Sequence, residues 1–211
     1  MNETSKVEIP DVDLDVKNRE HAISVLDDFI PASEYRDGDL LPHNTGLYFQ
    51  KIPSDVVIGL SAFPYKEAEE LGFFKIDIIP NHVYDLIESN EELEQLLEEP
   101  IDWNWFLDER FFYEDGRDSS MVLTHLGKHY DLCRKYPPES IEDVAMLIAL
   151  IRPAKRHLIG KSWDHIKRKI WEKEDGYAFK KSHAIAFAML VTIHIKLIYR
   201  IQKYHSTKYC F

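Results

Sequence analysis

Near its start the chain writes Asp11-Val12-Asp13-Leu14-Asp15, and much later Lys75-Ile76-Asp77-Ile78 sets another carboxylate between apolar neighbours. Successive side chains of a strand point to opposite faces, so Asp11, Asp13 and Asp15 would line one side while Val12, Leu14 and Val16 enter a core on the other. Aspartate is disfavoured in strands and a row of like charges loses stability, so folding alone gives no reason for the pattern. Two readings account for it. Hard divalent cations such as Mg²⁺ take carboxylate oxygens, and an Asp-apolar-Asp strand joined by a third Asp on a neighbouring strand can hold two of them for phosphoryl transfer. Alternatively, the row is an acidic edge strand that resists sheet-to-sheet association.

Either reading needs a small sheet that brings the first strand to the later one. The stretch to about Ile79 reads as β-rich: a strand at Val12 to Val16, a helix at Arg19 to Phe29, then strands near Leu47 to Gln50, Val56 to Leu60 and Phe73 to Ile78, separated by Gly, Pro and Asn turns. Beyond it the pattern turns helical. Val83 to Glu99 is acidic and periodic and ends at Pro100, and a loop with Trp103, Trp105 and Phe106 follows. Ser140 with Asp143 makes an N-cap before Val144 to Ile151, and Arg152-Pro153 stops that helix. Ser162 to Trp171 is a short basic helix, and Ser182 to about Tyr204 a long one with apolar residues on most faces. Its uncharged part, Ser182 to Ile195, is too short to span a bilayer, so a buried amphipathic helix is expected and no membrane partner.

With 211 residues, 45% of them hydrophobic and 12% aromatic, the chain can bury a full core. Cys133 and Cys210 stand far apart without metal-ligand or redox spacing, which gives no disulfide framework and no zinc site. Met1 to Lys6 lacks the basic-then-apolar run of a signal peptide, so a cytoplasmic protein is expected. The net charge of −11 hides an asymmetry. From Arg152 to Phe211 there are 14 Lys and Arg against 4 Asp and Glu, whereas Met1 to Ile151 carries 12 against 33. Such a basic quarter beside an acidic body either offers phosphates a landing face or merely solvates a helical surface.

Five separated strings agree with one family. Pro10-Asp11-Val12-Asp13-Leu14-Asp15 resembles the Pro-Asp-x-Asp-x-Asp palm strand of the C-family bacterial replicative DNA polymerases, the polymerase III α subunits. His43-Asn44-Thr45-Gly46 is similar to their His-x-x-Gly segment, and Gly72-Phe73-Phe74-Lys75-Ile76-Asp77 to the strand that supplies a Lys and the third catalytic Asp. Ile141-Glu142-Asp143 through Ile148-Ala149-Leu150-Ile151-Arg152-Pro153 resembles the fingers helix that ends in an Arg-Pro-Gly-Pro turn. Gly176-Tyr177-Ala178-Phe179-Lys180-Lys181-Ser182-His183-Ala184-Ile185-Ala186-Phe187-Ala188 resembles the Gly-Phe-Asn-Lys-Ser-His-Ala-x-x-Tyr-Ala fingers motif, and all five occur in the family's order.

The resemblance implies an α+β fold: a polymerase-β-like nucleotidyltransferase palm, a small mixed sheet with helices, in residues 1–80, followed by a mostly helical fingers-like region in 81–211, basic from 152 onward. It implies a DNA polymerase III α-like nucleotidyltransferase core that adds nucleotides to a nucleic-acid 3′ end in DNA replication, with two Mg²⁺ ions. Asp13, Asp15 and Asp77 would be the catalytic residues and metal ligands, with Asp11 outside the pair. Lys75, Arg152, Lys181, Ser182 and His183 would bind the nucleoside triphosphate, Lys75 serving otherwise as a local counter-ion for the carboxylates. Nucleic acid on the basic C-terminal region and a replisome protein are the implied partners, in a host cytoplasm if the chain is phage-encoded.

Parts of the family pattern are absent. None of the nine residues before Pro10 is glycine, where the family has a triphosphate-gripping Gly-Ser turn; the interval from Asp15 to His43 is too short for the duplex-gripping thumb; and Ala154-Lys155 stands where Gly-Pro would follow Arg152-Pro153. The alternative is therefore a non-catalytic replication accessory, or a polymerase mimic, that binds nucleic acid or a replisome partner.

Overall fold

The structure is a computed structural model that describes residues 12–114, 116, 118–172 and 181–208. Asp11 of the first motif, and the part of the last motif before Lys181, lie outside the described residues. The chain divides into two compact units, Met1–Tyr84 and Asp85–Phe211, and the protein is α+β.

Unit 1 contains β1 (Val12–Val16), α1 (Arg19–Ser24), β2 (Ile30–Arg36), β3 (Asp39–Tyr48), α2 (Tyr65–Glu70) and β4 (Ile76–Pro80). Its four strands form one mixed sheet in the order β1-β4-β3-β2, with β1 parallel to β4 and the other pairs antiparallel. Asn18 starts α1 by accepting a hydrogen bond from the His21 N–H at 2.7 Å. The helix stops at Ser24, short of the expected Phe29, where Val25 caps it with a non-helical backbone, and Asp28 in a left-handed conformation (φ 56°) precedes β2. That strand was not anticipated. Its cue is Asp37-Gly38, both at positive φ (55° and 93°), the two-residue hairpin turn whose twist matches the flanking strands.

Three other expectations shift or fail here, the first being the strand expected near Leu47 to Gln50, which is the end of the longer β3 and stops at Tyr48. Val56 to Leu60 is a turn and not a strand: the Asp55 carboxylate accepts the N–H groups of Val57 (2.8 Å) and Ile58 (3.2 Å), which satisfies the backbone locally and leaves Val56 and Val57 in solvent. The Phe73 to Ile78 strand begins only at Ile76 and runs to Pro80.

In unit 2 the described elements are α3 (Asn90–Glu98), α4 (Tyr130–Lys135), α5 (Ile141–Leu150), α6 (Trp163–Lys169) and α7 (Lys181–Lys208), joined by short 3-10 segments that include Trp103–Leu107 and Pro153–Leu158. The single helix expected from Val83 to Glu99 is split into a 3-10 turn, His82–Leu86, and α3, which Ser89 caps. The core is built on α5 and α7. Ser140 accepts from the Asp143 N–H (3.1 Å) while the Asp143 carboxylate accepts from the Glu139 N–H (3.1 Å), a reciprocal cap that starts α5, and every residue from Asp143 to Leu150 is buried. In α7, Leu190 to Ile198 are all buried, so the middle of this helix is enclosed on every side while its two ends keep exposed positions such as Lys181, Ala186 and Arg200. By length and composition it is long and apolar enough to cross a membrane, and 61% of that stretch is buried inside the protein.

Candidate functional site

Three strands of unit 1 converge on Asp77. In β1 and β4 the register pairs Asp13 with Asp77 and Asp15 with Ile79, and paired residues on parallel strands send their side chains to the same face, so the three carboxylates share one side of the sheet. The faces of β1 are not shared out as the alternation implied. Asp13 and Asp15 are half-buried, whereas Leu14 is 48% exposed. β1 does lie at the sheet's edge. Half-buried carboxylates on an edge strand suit edge protection as well as a cation.

β3 reaches this face through a distortion. β2 pairs Pro31 with Leu47 and Ser33 with Pro42, so a single residue, Ala32, opposes the four-residue segment His43-Asn44-Thr45-Gly46. This wide bulge leaves backbone donors without sheet partners, and the His43 ring supplies them: Nδ1 accepts from the N–H of Gly46 (3.0 Å) and of Thr45 (3.3 Å). With Nδ1 accepting, the proton of the neutral ring sits on Nε2. Burial, and next to it the charge of Lys75, hold the His43 pKa below its ordinary value, with Asp77 opposing. Tyr65 packs edge-on against the imidazole, with centroids 5.0 Å apart.

The bulge aims Thr45 at Asp77, and its hydroxyl donates to Oδ1 at 2.8 Å. Lys75, two residues before Asp77, forms an ion pair with Oδ2 and lies 5.7 Å from the centroid of the Tyr65 ring. His43, Lys75 and Asp77 are all largely enclosed, their side chains 18%, 17% and 12% exposed, so this pair is shielded from solvent as a surface pair is not. Gly46 is required by the packing. A Cβ there would stand 2.9 Å from the Lys75 Cδ, 3.0 Å from the Ala32 Cβ and 3.1 Å from the His43 Nδ1. Two phenols border the face and stay protonated: Tyr48, buried and near Glu69 and Asp77, is pushed up to about 12, and Tyr84 is raised by burial and by Asp15.

The donor set agrees in kind with a hard divalent cation, since Asp13, Asp15 and Asp77 present carboxylate oxygens to one face. In arrangement it falls short. Among the described residues no group of three or more His, Cys, Asp or Glu side chains is gathered to hold a metal, and both oxygens of Asp77 are engaged by Thr45 and Lys75. Lys75 thus occupies the counter-ion position that the sequence left open beside the phosphate role.

The remaining expected residues belong to unit 2. Lys181 at the start of α7 forms an exposed ion pair with Glu142 at 2.9 Å; Ser182 follows it; His183 lies 6.0 Å from the Phe187 ring; and Arg152 precedes the 3-10 segment Pro153–Leu158. His43, Thr45 and Tyr65 are what residue-type reasoning missed. The first two were visible only as part of a motif string, because the bulge that turns them toward Asp77 is a matter of strand register.

Comparison with protein-family models, with curated proteins and with solved structures finds no match.

Proposed function

We propose that the carboxylate face of unit 1 is a nucleotidyl-transfer centre of the polymerase III α type, which joins a nucleoside triphosphate to a nucleic-acid 3′ end. The observation that carries this reading is the in-register pairing of Asp13 with Asp77 on one sheet face, with Lys75 ion-paired to Asp77. Asp13, Asp15 and Asp77 would hold Mg²⁺, which when bound supplies activation of the attacking hydroxyl and neutralisation of the triphosphate charge. Thr45 fixes the orientation of Asp77 through its hydroxyl, and the His43-supported bulge fixes Thr45. Lys75 holds the Asp77 charge in a largely enclosed setting, and its ammonium would be a cation available to a phosphate oxygen.

A second reading draws on the same contacts. With both Asp77 oxygens satisfied internally and no group of three metal-competent side chains among the described residues, the face also suits a protein that keeps the fold and binds nucleic acid or a replisome partner without catalysis. Primer extension separates the two. With Mg²⁺ and labelled deoxynucleotides the wild-type chain is expected to elongate a primer, and Asp77→Asn to abolish the product. Equal product from the mutant would trace the signal to a contaminant and remove the catalytic reading.

A further inference from the structure

In unit 2 two lysine ammonium groups lie beside a pair of stacked rings at the margin of the core, with Tyr136 inside it and Trp163 packed against it. The Lys135 ammonium lies 5.7 Å from the centroid of the Tyr136 ring; Tyr136 stacks on Trp163 with centroids 5.2 Å apart and planes 21° from parallel; and the Lys167 ammonium lies 5.7 Å from the Trp163 centroid. The order is therefore Lys135, Tyr136, Trp163, Lys167. Tyr136 is buried and bound at its tip, donating from its hydroxyl to the Lys161 carbonyl (2.9 Å) and accepting from the Gly160 N–H (2.8 Å), which ties α4 to the loop before α6. The same bonds hold the Lys161 backbone at the tip of the Tyr136 ring, and the Lys135 ammonium stands 3.8 Å from where a Gly160 side chain would begin.

Lys135 and Lys161 are exposed, and neither has a carboxylate within ion-pair distance among the described residues; Lys167 shares its charge with Asp143 at 3.5 Å. Lysines laid along ring faces are held extended by cation–π attraction and lose less freedom when they meet an anion. Trp163 is half-buried.

From this we infer that the face formed by Lys135, Tyr136, Trp163, Lys161 and Lys167 binds the phosphodiester backbone of a nucleic-acid strand. A strand repeats a phosphate and a flat base along its length, and ordered cations interleaved with an aromatic edge match that repeat. An acidic peptide offers carboxylates without the flat partner. The face lies wholly in unit 2 and includes α4, outside the basic C-terminal quarter. Its test reads binding alone, so it stands or falls apart from the nucleotidyl-transfer reading of unit 1.

The experiment is fluorescence anisotropy of a labelled oligothymidylate of roughly 20 nucleotides, titrated with the full chain over a range of salt concentrations. The wild-type log affinity is expected to fall linearly with log salt. The double variant Lys135→Glu/Lys161→Glu should bind about tenfold more weakly at about 50 mM salt, with a slope shallower by about 1.4, at ~0.7 per lost phosphate contact on a single strand. The charge-keeping variant Lys135→Arg/Lys161→Arg should retain wild-type binding, and unchanged circular dichroism in both variants would tie the loss to the face and not to the fold. Wild-type affinity in the Glu variant, no binding by the wild type at low salt, or polyglutamate binding as tight as the oligonucleotide would each overturn the assignment.

Discussion

Both units bury charged and titratable side chains, but they put them to different uses. In unit 2 three buried side chains serve the backbone. Lys196, 4% exposed, donates from Nζ to the carbonyls of Leu96 (2.6 Å) and Glu99 at the end of α3; Lys155, 3% exposed, donates to the carbonyls of Glu172 (2.7 Å) and Lys169 at the end of α6; and His194 accepts from the Thr124 N–H (3.0 Å) and meets the Ser120 carbonyl at 2.9 Å. Each closes a helix end or pins a loop, using donors that helix termini lack. In unit 1 the side chains are addressed to one another: Lys75 and Thr45 to Asp77, with His43 supporting the bulge beneath. A lysine committed to peptide carbonyls has a structural task that would be the same beside any ligand. A lysine committed to a carboxylate can exchange that partner for a phosphate or yield the carboxylate to a metal. For that reason the proposed function rests on unit 1, although among the described residues unit 2 holds more buried charge.

The contrast can be broken from the unit 2 side first. Lys196→Met removes the donor that satisfies two carbonyls at the end of α3, and a loss of about 3 kcal/mol is expected, since buried acceptors left unmade cost ~1–3 kcal/mol each. All four tryptophans, Trp103, Trp105, Trp163 and Trp171, lie in unit 2, so the urea midpoint of intrinsic fluorescence reads this change directly. An unchanged midpoint would show that the lysine is not a structural cap. On the unit 1 side, Gly46→Ala places a methyl against Lys75, Ala32 and His43 and should cost about 2 kcal/mol, as overpacking commonly does, read as faster amide exchange along β3.

Smaller changes sharpen the comparison. Thr45→Val keeps the shape and deletes one hydrogen bond to Asp77, so about 1 kcal/mol of stability is expected to go. If unit 1 is the functional centre, nucleotide incorporation should fall by more than that loss alone would produce. Least in energy, His43 should titrate below pH 6.5, followed by the ring-proton shift in NMR. Its folded pKa is depressed, so the unfolded chain takes up the proton first as pH falls; its contribution to stability is whole above about pH 6.5 and is lost as pH drops below that. A His43 pKa at or above 6.5 would mean that the ring is not the buried acceptor described.

What was legible in the sequence was local. β1 spans Val12–Val16 as its alternation implied, and the Ser140 and Asp143 cap lies where its spacing put it, because both patterns are set by neighbours within a few residues. Where a side chain outbids the expected ladder, the reading failed. Val56-Val57-Ile58 is β-branched throughout, yet the Asp55 carboxylate takes its N–H groups and leaves the run exposed. The candidate site was legible as residue types and illegible as contacts. Lys75 pairs with Asp77, the counter-ion alternative its sequence position allowed, but Thr45 and His43 reach Asp77 only because four residues of β3 oppose one of β2, and no periodicity records that. The buried lysines were invisible for a similar reason: their partners are carbonyls distant in the sequence, 100 residues away in the case of Lys196 and Leu96.

The central claim, that the carboxylate face is built to receive a cation and a triphosphate, is tested most directly by Mn²⁺ binding, followed by electron paramagnetic resonance in the presence of a nonhydrolysable deoxynucleoside triphosphate. The account predicts a bound Mn²⁺ signal in the wild-type protein and an affinity at least about tenfold weaker in Asp13→Asn and in Asp77→Asn, as loss of a metal-site carboxylate should produce. Mn²⁺ binding that is the same in all three proteins, or no bound signal in the wild type, would contradict it.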